Sequence, residues 1–230
     1  MRVACSWSGG KDSCLAYYMA LQEGHEVVSL LNLVSREYGR CCFHGIPIDL
    51  IEMQAEAIGI PILIKDVSQD MNKYEEEFKN AVIELKDMYD IEGIIFGDIY
   101  LDEHKEWVER VCREAAGVIA IEPLWNKDTL NLINEFIDLG FKTTIVSAKE
   151  NLFDSSIVGK TIDSYIVKDL LEKNICVCGE GGEFHTFVYD GPLFNKKIAI
   201  TESETAIKDG FWKHWFLDIK SFQIEEKINL

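Results

Sequence analysis

A six-residue segment near the start of the chain, Ser8-Gly9-Gly10-Lys11-Asp12-Ser13, combines residue types that bind phosphate groups. The two glycines let backbone N–H groups approach an anion, and a helix beginning here would add the partial positive charge of its N-terminus. The Ser8 and Ser13 hydroxyl groups can donate hydrogen bonds, and Lys11 supplies a point charge. Asp12 is predicted to hold Mg²⁺ or to position the loop. The segment therefore predicts a site for nucleotide phosphates.

This segment is neither of the two common phosphate-binding motifs. It lacks the GxxxxGK[ST] pattern of the Walker A loop and the GxGxxG pattern of dinucleotide-binding folds. The alternative is an ordinary helix start with two glycines and a capping serine. Six specified residues between a predicted strand and a predicted helix rarely occur by accident, so we favour the phosphate loop.

A second group of chemically capable residues lies in Gly179-Glu180-Gly181-Gly182-Glu183-Phe184-His185-Thr186-Phe187. Its glycines would let the backbone approach a ligand, Glu180 and Glu183 could hold a metal ion, an amine or ammonium, and His185 could transfer a proton. On residue types alone, the segment could equally be a glycine-rich turn with solvated acids.

The region before the second predicted helix carries weaker candidates. His44 follows a predicted loop, residues 35–43, that contains Arg36 and Arg40 and could receive an anionic substrate or be a solvated surface loop. Gln54 on the following helix is a further candidate for ligand contact.

Strand and helix patterns alternate through the first half of the chain. Strands are predicted at residues 2–7, 27–34, 61–66, 93–97 and 118–121, and helices at 11–23, 47–58, 72–88 and 102–116. The pattern predicts an α/β fold with a Rossmann-like parallel sheet and helices on both faces, which binds ligands at the carboxyl ends of its strands. Near residues 123–126 the alternation changes, so we predict domains 1–125 and 126–230. The second is a smaller α+β domain with helices at 130–139 and 162–171 and strands at 141–146, 184–188, 197–200 and 216–224.

Composition narrows the class of partner. The net charge is −17 and no cluster of Lys and Arg is present, which disfavours nucleic acid as a substrate, including tRNA. No apolar run reaches the length of a membrane helix, and the seven cysteines are irregularly spaced, so we expect a cytoplasmic protein with reduced thiols. Cys41-Cys42 beside His44 lacks a second ligand pair for a metal.

Residues 8–13, 180–186 and Tyr189-Asp190-Gly191-Pro192-Leu193-Phe194 together resemble the diphthine-ammonia ligase family of the PP-loop ATP pyrophosphatases, over nearly the whole chain. The resemblance implies a HUP-type ATP-binding domain, adenylation of a carboxylate with release of pyrophosphate, and amidation by ammonium. Family members convert diphthine on translation elongation factor 2 to diphthamide.

The resemblance also implies roles for individual residues. Residues 8–13 would bind ATP with Mg²⁺, with Lys11, Asp12, Glu183 and His185 taking part in the chemistry. The substrate side would be formed by His44 and by six residues of the second segment, with Gln54 as a weaker candidate. The six residues are Glu180, Gly181, Gly182, Glu183, Phe184 and Thr186. Gly97-Asp98 is similar to a ligand-facing position, where Asp98 would bind magnesium or ribose or would simply cap the strand end.

Some positions leave the acceptor open. His185 stands where the ligases of archaea and eukaryotes usually carry an acid. In having a histidine there, the sequence resembles a prokaryotic branch that has been linked to cobalamin metabolism. Gly181, in contrast, is more similar to the ligases than to that branch. The alternatives are another small-molecule acceptor or a non-catalytic nucleotide-binding module. Phe211, Trp212, Trp215 and Phe216 could form a surface for a partner or a homodimer, although core packing is the favoured interpretation.

Overall fold

The computed structural model describes residues 1–37, 39–41, 44–68, 70–209 and 213–227. The chain forms two compact units, each assembled from separate stretches of sequence. Unit 1 comprises Met1–Ser8, Asp12–Cys42 and Ile60–Asn126. Unit 2 comprises Gly9–Lys11, Phe43–Gly59 and Lys127–Leu230.

Unit 1 is built on a mostly parallel sheet of six strands. These strands are β1 (Arg2–Ser6), β2 (Glu26–Ser35), β3 (Arg40–Cys41), β4 (Ile62–Val67), β5 (Gly93–Ile95) and β6 (Ile119–Ile121). β1 lies between β2 and β5; β4 continues the sheet beyond β2 and β6 beyond β5, all in parallel pairs. The order of strands therefore reverses at β1, and such a switch point is where doubly wound sheets bind ligands.

Helices of unit 1 cover this sheet with an apolar core. They are α1 (Lys11–Gln22), whose first residue belongs to unit 2, α3 (Met71–Tyr89) and α4 (Asp102–Ala116). Asp70 caps α3 by accepting a hydrogen bond from the Asn72 N–H. Arg110 on α4 forms a two-pronged ion pair with Glu75 on α3, at 2.8 and 2.7 Å, which fixes the two helices side by side.

Unit 2 is built on a four-stranded antiparallel sheet. Its strands are β7 (Lys142–Lys149), β8 (Phe184–Asp190), β9 (Lys196–Asp209) and β10 (Lys213–Glu226), in the order β8-β7-β10-β9. Its helices are α2 (Ile48–Ile58), α5 (Thr129–Asp138) and α6 (Ser164–Glu172). Asn195 ties α2 to the start of β9, because its side chain donates to the Ile58 carbonyl at 2.7 Å and its N–H to the Ala57 carbonyl at 2.8 Å.

The predicted fold class, a Rossmann-like parallel sheet followed by an α+β region with a second sheet, is confirmed. Three local predictions differ. The predicted loop at 35–43 contains the short strand β3, which pairs with Val34 and Ser35. β5 ends at Ile95, two residues early. β9 and β10 are 14 residues each, because the polar sequence 201–209 pairs with β10 although it carries no apolar alternation.

The structure describes only part of the aromatic group predicted at residues 211–216. Phe211 and Trp212 lie outside the described residues, as does Cys42. Trp215 and Phe216 are partly buried in unit 2, where the Trp215 indole donates to the Phe153 carbonyl at 3.1 Å. The six described cysteines are free thiols. None of the helices in the described ranges has the length and apolar character needed to cross a membrane.

Candidate functional site

The segment predicted as a phosphate loop, residues 8–13, follows β1, which ends at Ser6, and the last three residues of the segment form the start of α1. Gly9 has a φ of +79°, a left-handed conformation that only glycine adopts without strain. A Cβ atom at Gly9 would lie 2.5 Å from Gln54 Oε1 and 2.7 Å from Ile51 Cδ1. Gly9 is therefore required both for its backbone angle and for the close approach of α2.

Gln54 holds the glycine loop from α2 within unit 2. Its side chain is fully buried, and its amide Nε2 donates to the Gly9 carbonyl at 3.0 Å and to the Val188 carbonyl at 2.6 Å. The Val188 N–H also donates to the Gly9 carbonyl, at 2.9 Å. These contacts favour a positioning role for Gln54, because its amide nitrogen donates to the backbone carbonyls of Gly9 and Val188 and so holds the glycine loop in place.

Lys11 extends into the core of unit 2. Its backbone N–H donates to the Thr186 hydroxyl at 3.0 Å, and its ammonium donates to the Cys178 carbonyl and lies 5.4 Å from the centre of the Phe184 ring. Only 4% of Lys11 and 2% of Thr186 are exposed. The first residue of α1 is therefore hydrogen bonded to the second predicted segment, 180–186.

His44 and His185 form an imidazole pair beside this contact. Their ring centres are 4.7 Å apart, and His44 Nδ1 lies 3.0 Å from the Thr186 carbonyl oxygen. A Cβ atom at Gly10 would lie 2.6 Å from His44 Cε1, so the His44 ring packs directly against the phosphate loop. Glycine at position 10 is what makes room for that ring.

Burial and nearby charge keep both imidazoles neutral. Burial lowers the pKa of His44 to about 4; the Thr186 hydrogen bond opposes this shift and the Lys11 charge adds to it. The pKa of His185 is lowered well below its usual range by burial, and further by His44 and Lys11, with smaller effects from His214 and Lys149. At neutral pH each ring therefore keeps a nitrogen lone pair available.

The glycine-rich segment before β8 forms a turn anchored by Lys149. The Lys149 N–H donates to the Glu183 carbonyl at 2.9 Å, and its ammonium donates to the Gly181 carbonyl at 2.8 Å. Gly182 has a φ of +72°. Within the described residues, Glu183 Oε2 is buried without a hydrogen-bond partner. An unpartnered buried carboxylate oxygen is costly, which makes Glu183 a good candidate for contact with a cationic or N–H-bearing ligand.

Ser8, Asp12, Ser13 and Asp98 are predicted site residues that lie in unit 1. The hydroxyl oxygens of Ser8 and Ser13 are 3.3 Å apart, so they face each other across the start of α1. A Cβ atom at Gly97 would lie 2.9 Å from the Asp12 carbonyl carbon, so the stretch after β5 passes directly over that helix start. Asp98 follows Gly97, and its carboxylate lies 3.2 Å from His104 Nδ1.

Glu122 was missed by the sequence reasoning. It directly follows β6, its side chain is 4% exposed, and it pairs with Lys105 at 2.8 Å. Burial raises its pKa, against the effect of Lys105, and Asp98 raises it further. The signal that could have found it is its place at the carboxyl end of a parallel strand, where Asp98 also lies.

Other predicted residues are placed without a ligand contact being evident. Phe184 is buried and packs edge-on against Phe153 at 6.2 Å, so it belongs to the core of unit 2. Glu180 and Gly181 lie in the turn before β8. Arg36 pairs with Glu77 at 2.6 Å in unit 1. The described residues contain no group of three His, Cys, Asp or Glu side chains arranged to hold a metal ion.

Comparison with known proteins connects both segments to one family. The Diphthamide synthase N-terminal domain matches residues 1–118, and the Diphthamide synthase C-terminal domain matches residues 128–228. A solved structure of a predicted subunit of tRNA methyltransferase from Methanocaldococcus jannaschii is similar at 17% identity over 82% of this chain and 96% of that chain, with a TM-score of 0.44, too low to bear on function.

Curated relatives agree with the family match. The human diphthine–ammonia ligase is 31% identical over 256 residues, which cover 100% of this chain and 94% of that protein. The zebrafish protein (Danio rerio) of the same name is 30% identical over 253 residues, covering 99% of this chain and 98% of that protein. The chain, an enzyme that forms a C–N bond, therefore belongs to the diphthamide synthase family.

Proposed function

We propose that this protein uses ATP to convert the carboxylate of diphthine on elongation factor 2 into an amide, with ammonium as the nitrogen donor. The observation that carries the proposal is a set of contacts in unit 2. They join Gly10 and Lys11 to the 180–186 segment through His44 and Thr186, and they join Gly9 to Val188, just beyond that segment, through Gln54. In a member of the diphthamide synthase family, this set links the residues proposed for ATP to those proposed for the acceptor.

The proposed reaction has two steps. The acceptor carboxylate oxygen attacks the α-phosphorus of ATP, pyrophosphate leaves, and an acyl-adenylate forms. The nitrogen of ammonia then attacks the acyl carbon, and AMP leaves as the C–O bond breaks. Adenylation makes the second step feasible, because AMP is a far better leaving group than the oxygen of a free carboxylate.

The loop residues hold the triphosphate in this proposal. The N–H groups of the glycine loop and the N-terminus of α1 face the phosphates, with the Ser8 and Ser13 hydroxyls as further donors. Lys11 brings a positive charge into the core beside them, which lowers the cost of concentrating negative charge there. Gln54, Phe184 and Thr186 act by fixing the backbone around the loop.

A magnesium ion fits the residues that are present. Mg²⁺ in ATP-using enzymes is typically held by one or two carboxylates together with phosphate oxygens and water, so the lack of a three-ligand cluster in the described ranges is compatible with it. Asp12 at the start of α1 is the residue we propose to hold it, with Asp98 as a second candidate. When bound, the ion would neutralise phosphate charge.

Glu180, Gly181, Gly182 and Glu183 are proposed to face the acceptor. The buried Oε2 of Glu183 is suited to accept a hydrogen bond from ammonium or from an N–H group of the modified histidine. We further propose a cytoplasmic location and a homodimer. Mass photometry of the purified protein tests the dimer.

The deciding experiment uses purified protein, ATP, Mg²⁺, ammonium and elongation factor 2 that carries diphthine. We expect acceptor-dependent release of AMP, and a decrease of about 1 Da in the mass of the modified residue as acid becomes amide. The matched control is elongation factor 2 with an unmodified histidine, which should release no AMP above background. AMP release that does not depend on diphthine would refute this acceptor and direct the search to a small molecule.

A further inference from the structure

The amide-forming step needs acceptors for two protons. An ammonium ion brings four N–H bonds and the product amide keeps two, so one proton is lost before the nitrogen can attack and another as the C–N bond forms. The acyl-adenylate carries one negative charge and AMP leaves with two, so neither proton has to stay on the leaving group. General bases near the loop must therefore receive both protons in turn.

We propose that the His44–His185 pair accepts these protons, an inference that rests on the proposed amidation. The rings contact each other at 4.7 Å between centres, and His44 packs against Gly10 of the phosphate loop. The pair therefore lies within unit 2 beside both segments to which the reaction is assigned. Each N–H bond of ammonium that breaks leaves its electron pair on nitrogen and its proton on an imidazole.

The hydrogen bond to Thr186 fixes which nitrogen of His44 can act. A carbonyl oxygen only accepts, so His44 Nδ1 must carry the proton that it donates to the Thr186 oxygen at 3.0 Å. The lone pair then resides on Nε2. Thr186 is itself held by the Lys11 N–H, so the backbone at the start of α1 also sets the orientation of the base.

The surroundings keep both rings uncharged at neutral pH, and the same depressed pKa makes each ring a weak base, so a proton is held only briefly before it passes to solvent. Burial has the largest effect on the pKa of His185. Among the described residues, His44, Lys11, His214 and Lys149, all of them cationic or neutral, lower this pKa further. A first proton on either ring makes a second one harder to add, because two adjacent imidazolium rings beside Lys11 repel. The protons are therefore accepted one at a time, with release to solvent between the two events.

The test separates proton removal from every other role of the pair. Two variants are compared, His185→Gln and His44→Asn, and the asparagine keeps an N–H donor for the Thr186 carbonyl. For each variant we measure, at pH 7, formation of the amide with ammonium and of the hydroxamate with hydroxylamine. Hydroxylamine is largely unprotonated at that pH, so it needs less help from a base. Diphthine-dependent exchange of pyrophosphate into ATP reports adenylation alone. His25→Gln, which changes a histidine of unit 1, is the matched control.

We expect each variant to lose about 100-fold in turnover with ammonium, in the usual range for a missing general base. Turnover with hydroxylamine and pyrophosphate exchange should each fall about tenfold less than turnover with ammonium, and the ammonium rate of the variants should rise with pH as free ammonia increases. Equal losses with both nucleophiles, or no loss with either, would overturn the proposal.

Failure of the proposed function and failure of a variant to fold can both be distinguished from failure of this inference. If the wild-type protein shows no diphthine-dependent exchange, the proposed function fails, whatever the variants do. If one variant does not fold, as judged by its circular dichroism spectrum, the other variant decides. If neither folds, the wild-type protein alone decides. As the pH is lowered from 8 to 6, its turnover with ammonium should fall less steeply than the concentration of free ammonia. A decline parallel to that of free ammonia would overturn the inference.

Discussion

Replacement of Gln54 by Met tests whether this buried amide holds the phosphate loop. Met has nearly the same volume as Gln, so the change removes hydrogen bonds without opening a large cavity. The Gly9 carbonyl would keep the Val188 N–H at 2.9 Å, but the Val188 carbonyl would lose its 2.6 Å partner inside the core. A buried polar group left unsatisfied costs about 1–3 kcal/mol, so we expect the free energy of unfolding to fall by about 2 kcal/mol.

The same variant should bind ATP more weakly. If the whole of about 2 kcal/mol were needed to restore the loop conformation on binding, the affinity for ATP would fall by about 30-fold, which is the upper limit. Urea unfolding measures the first quantity and isothermal titration calorimetry with Mg²⁺-ATP the second. The exposed Gln22 at the end of α1 gives the matched control, Gln22→Met, which should change neither. A Gln54→Met protein with wild-type stability and wild-type affinity for ATP would refute the positioning role.

Three further predictions concern glycines and protonation. Gly9→Ala should abolish measurable ATP binding in calorimetry, whereas Gly24→Ala, at a similar φ of +84° but with no atom within 4 Å of the new methyl group, should cost only about 1–2 kcal/mol of unfolding free energy. Gly97→Ala should weaken ATP binding at least tenfold, because its Cβ would lie 2.9 Å from the Asp12 carbonyl carbon; wild-type binding would contradict this. The pKa of His44 is depressed to about 4, so the folded state binds fewer protons than the unfolded state between pH 6.5 and 4, and stability is lost as the pH falls through that window. Urea unfolding at pH 7 and pH 5 should show wild type losing about 1–2 kcal/mol more than His44→Asn; equal losses would show that this histidine does not contribute.

Patterns local in sequence predicted the fold class and the turn from strand to helix in which the proposed phosphate loop lies. The parallel strands alternate with helices along the chain. The residue types of Gly9 and its neighbours are enough to predict the turn from β1 into α1, so no knowledge of distant contacts was needed. The extent of β9 was not predictable, because residues 201–207 are mostly exposed and polar and become a strand only through pairing with β10.

Contacts between distant parts of the chain explain what the sequence left open in the site. Lys11 was expected to face phosphates, and its direction toward the Cys178 carbonyl depends on a residue 167 positions away. Gln54 contacts Val188 across 134 positions, so its role as a brace for Gly9 could not be inferred from its place on α2. His44 and His185 were separate candidates, and only the folded chain brings their rings into contact.

The discontinuous composition of unit 2 has a consequence for the order in which the protein can fold. Gly9, Gly10, Lys11 and α2 are made early during synthesis, yet their partners on β8 are made more than a hundred residues later. Closing such long loops is slow, since chain entropy is lost before the contacts form. The phosphate loop would thus emerge from the ribosome before it can adopt its final structure. We expect α2 to become protected from hydrogen exchange only together with β8. Pulse-labelled exchange during refolding that shows α2 protected well before β8 would exclude this order.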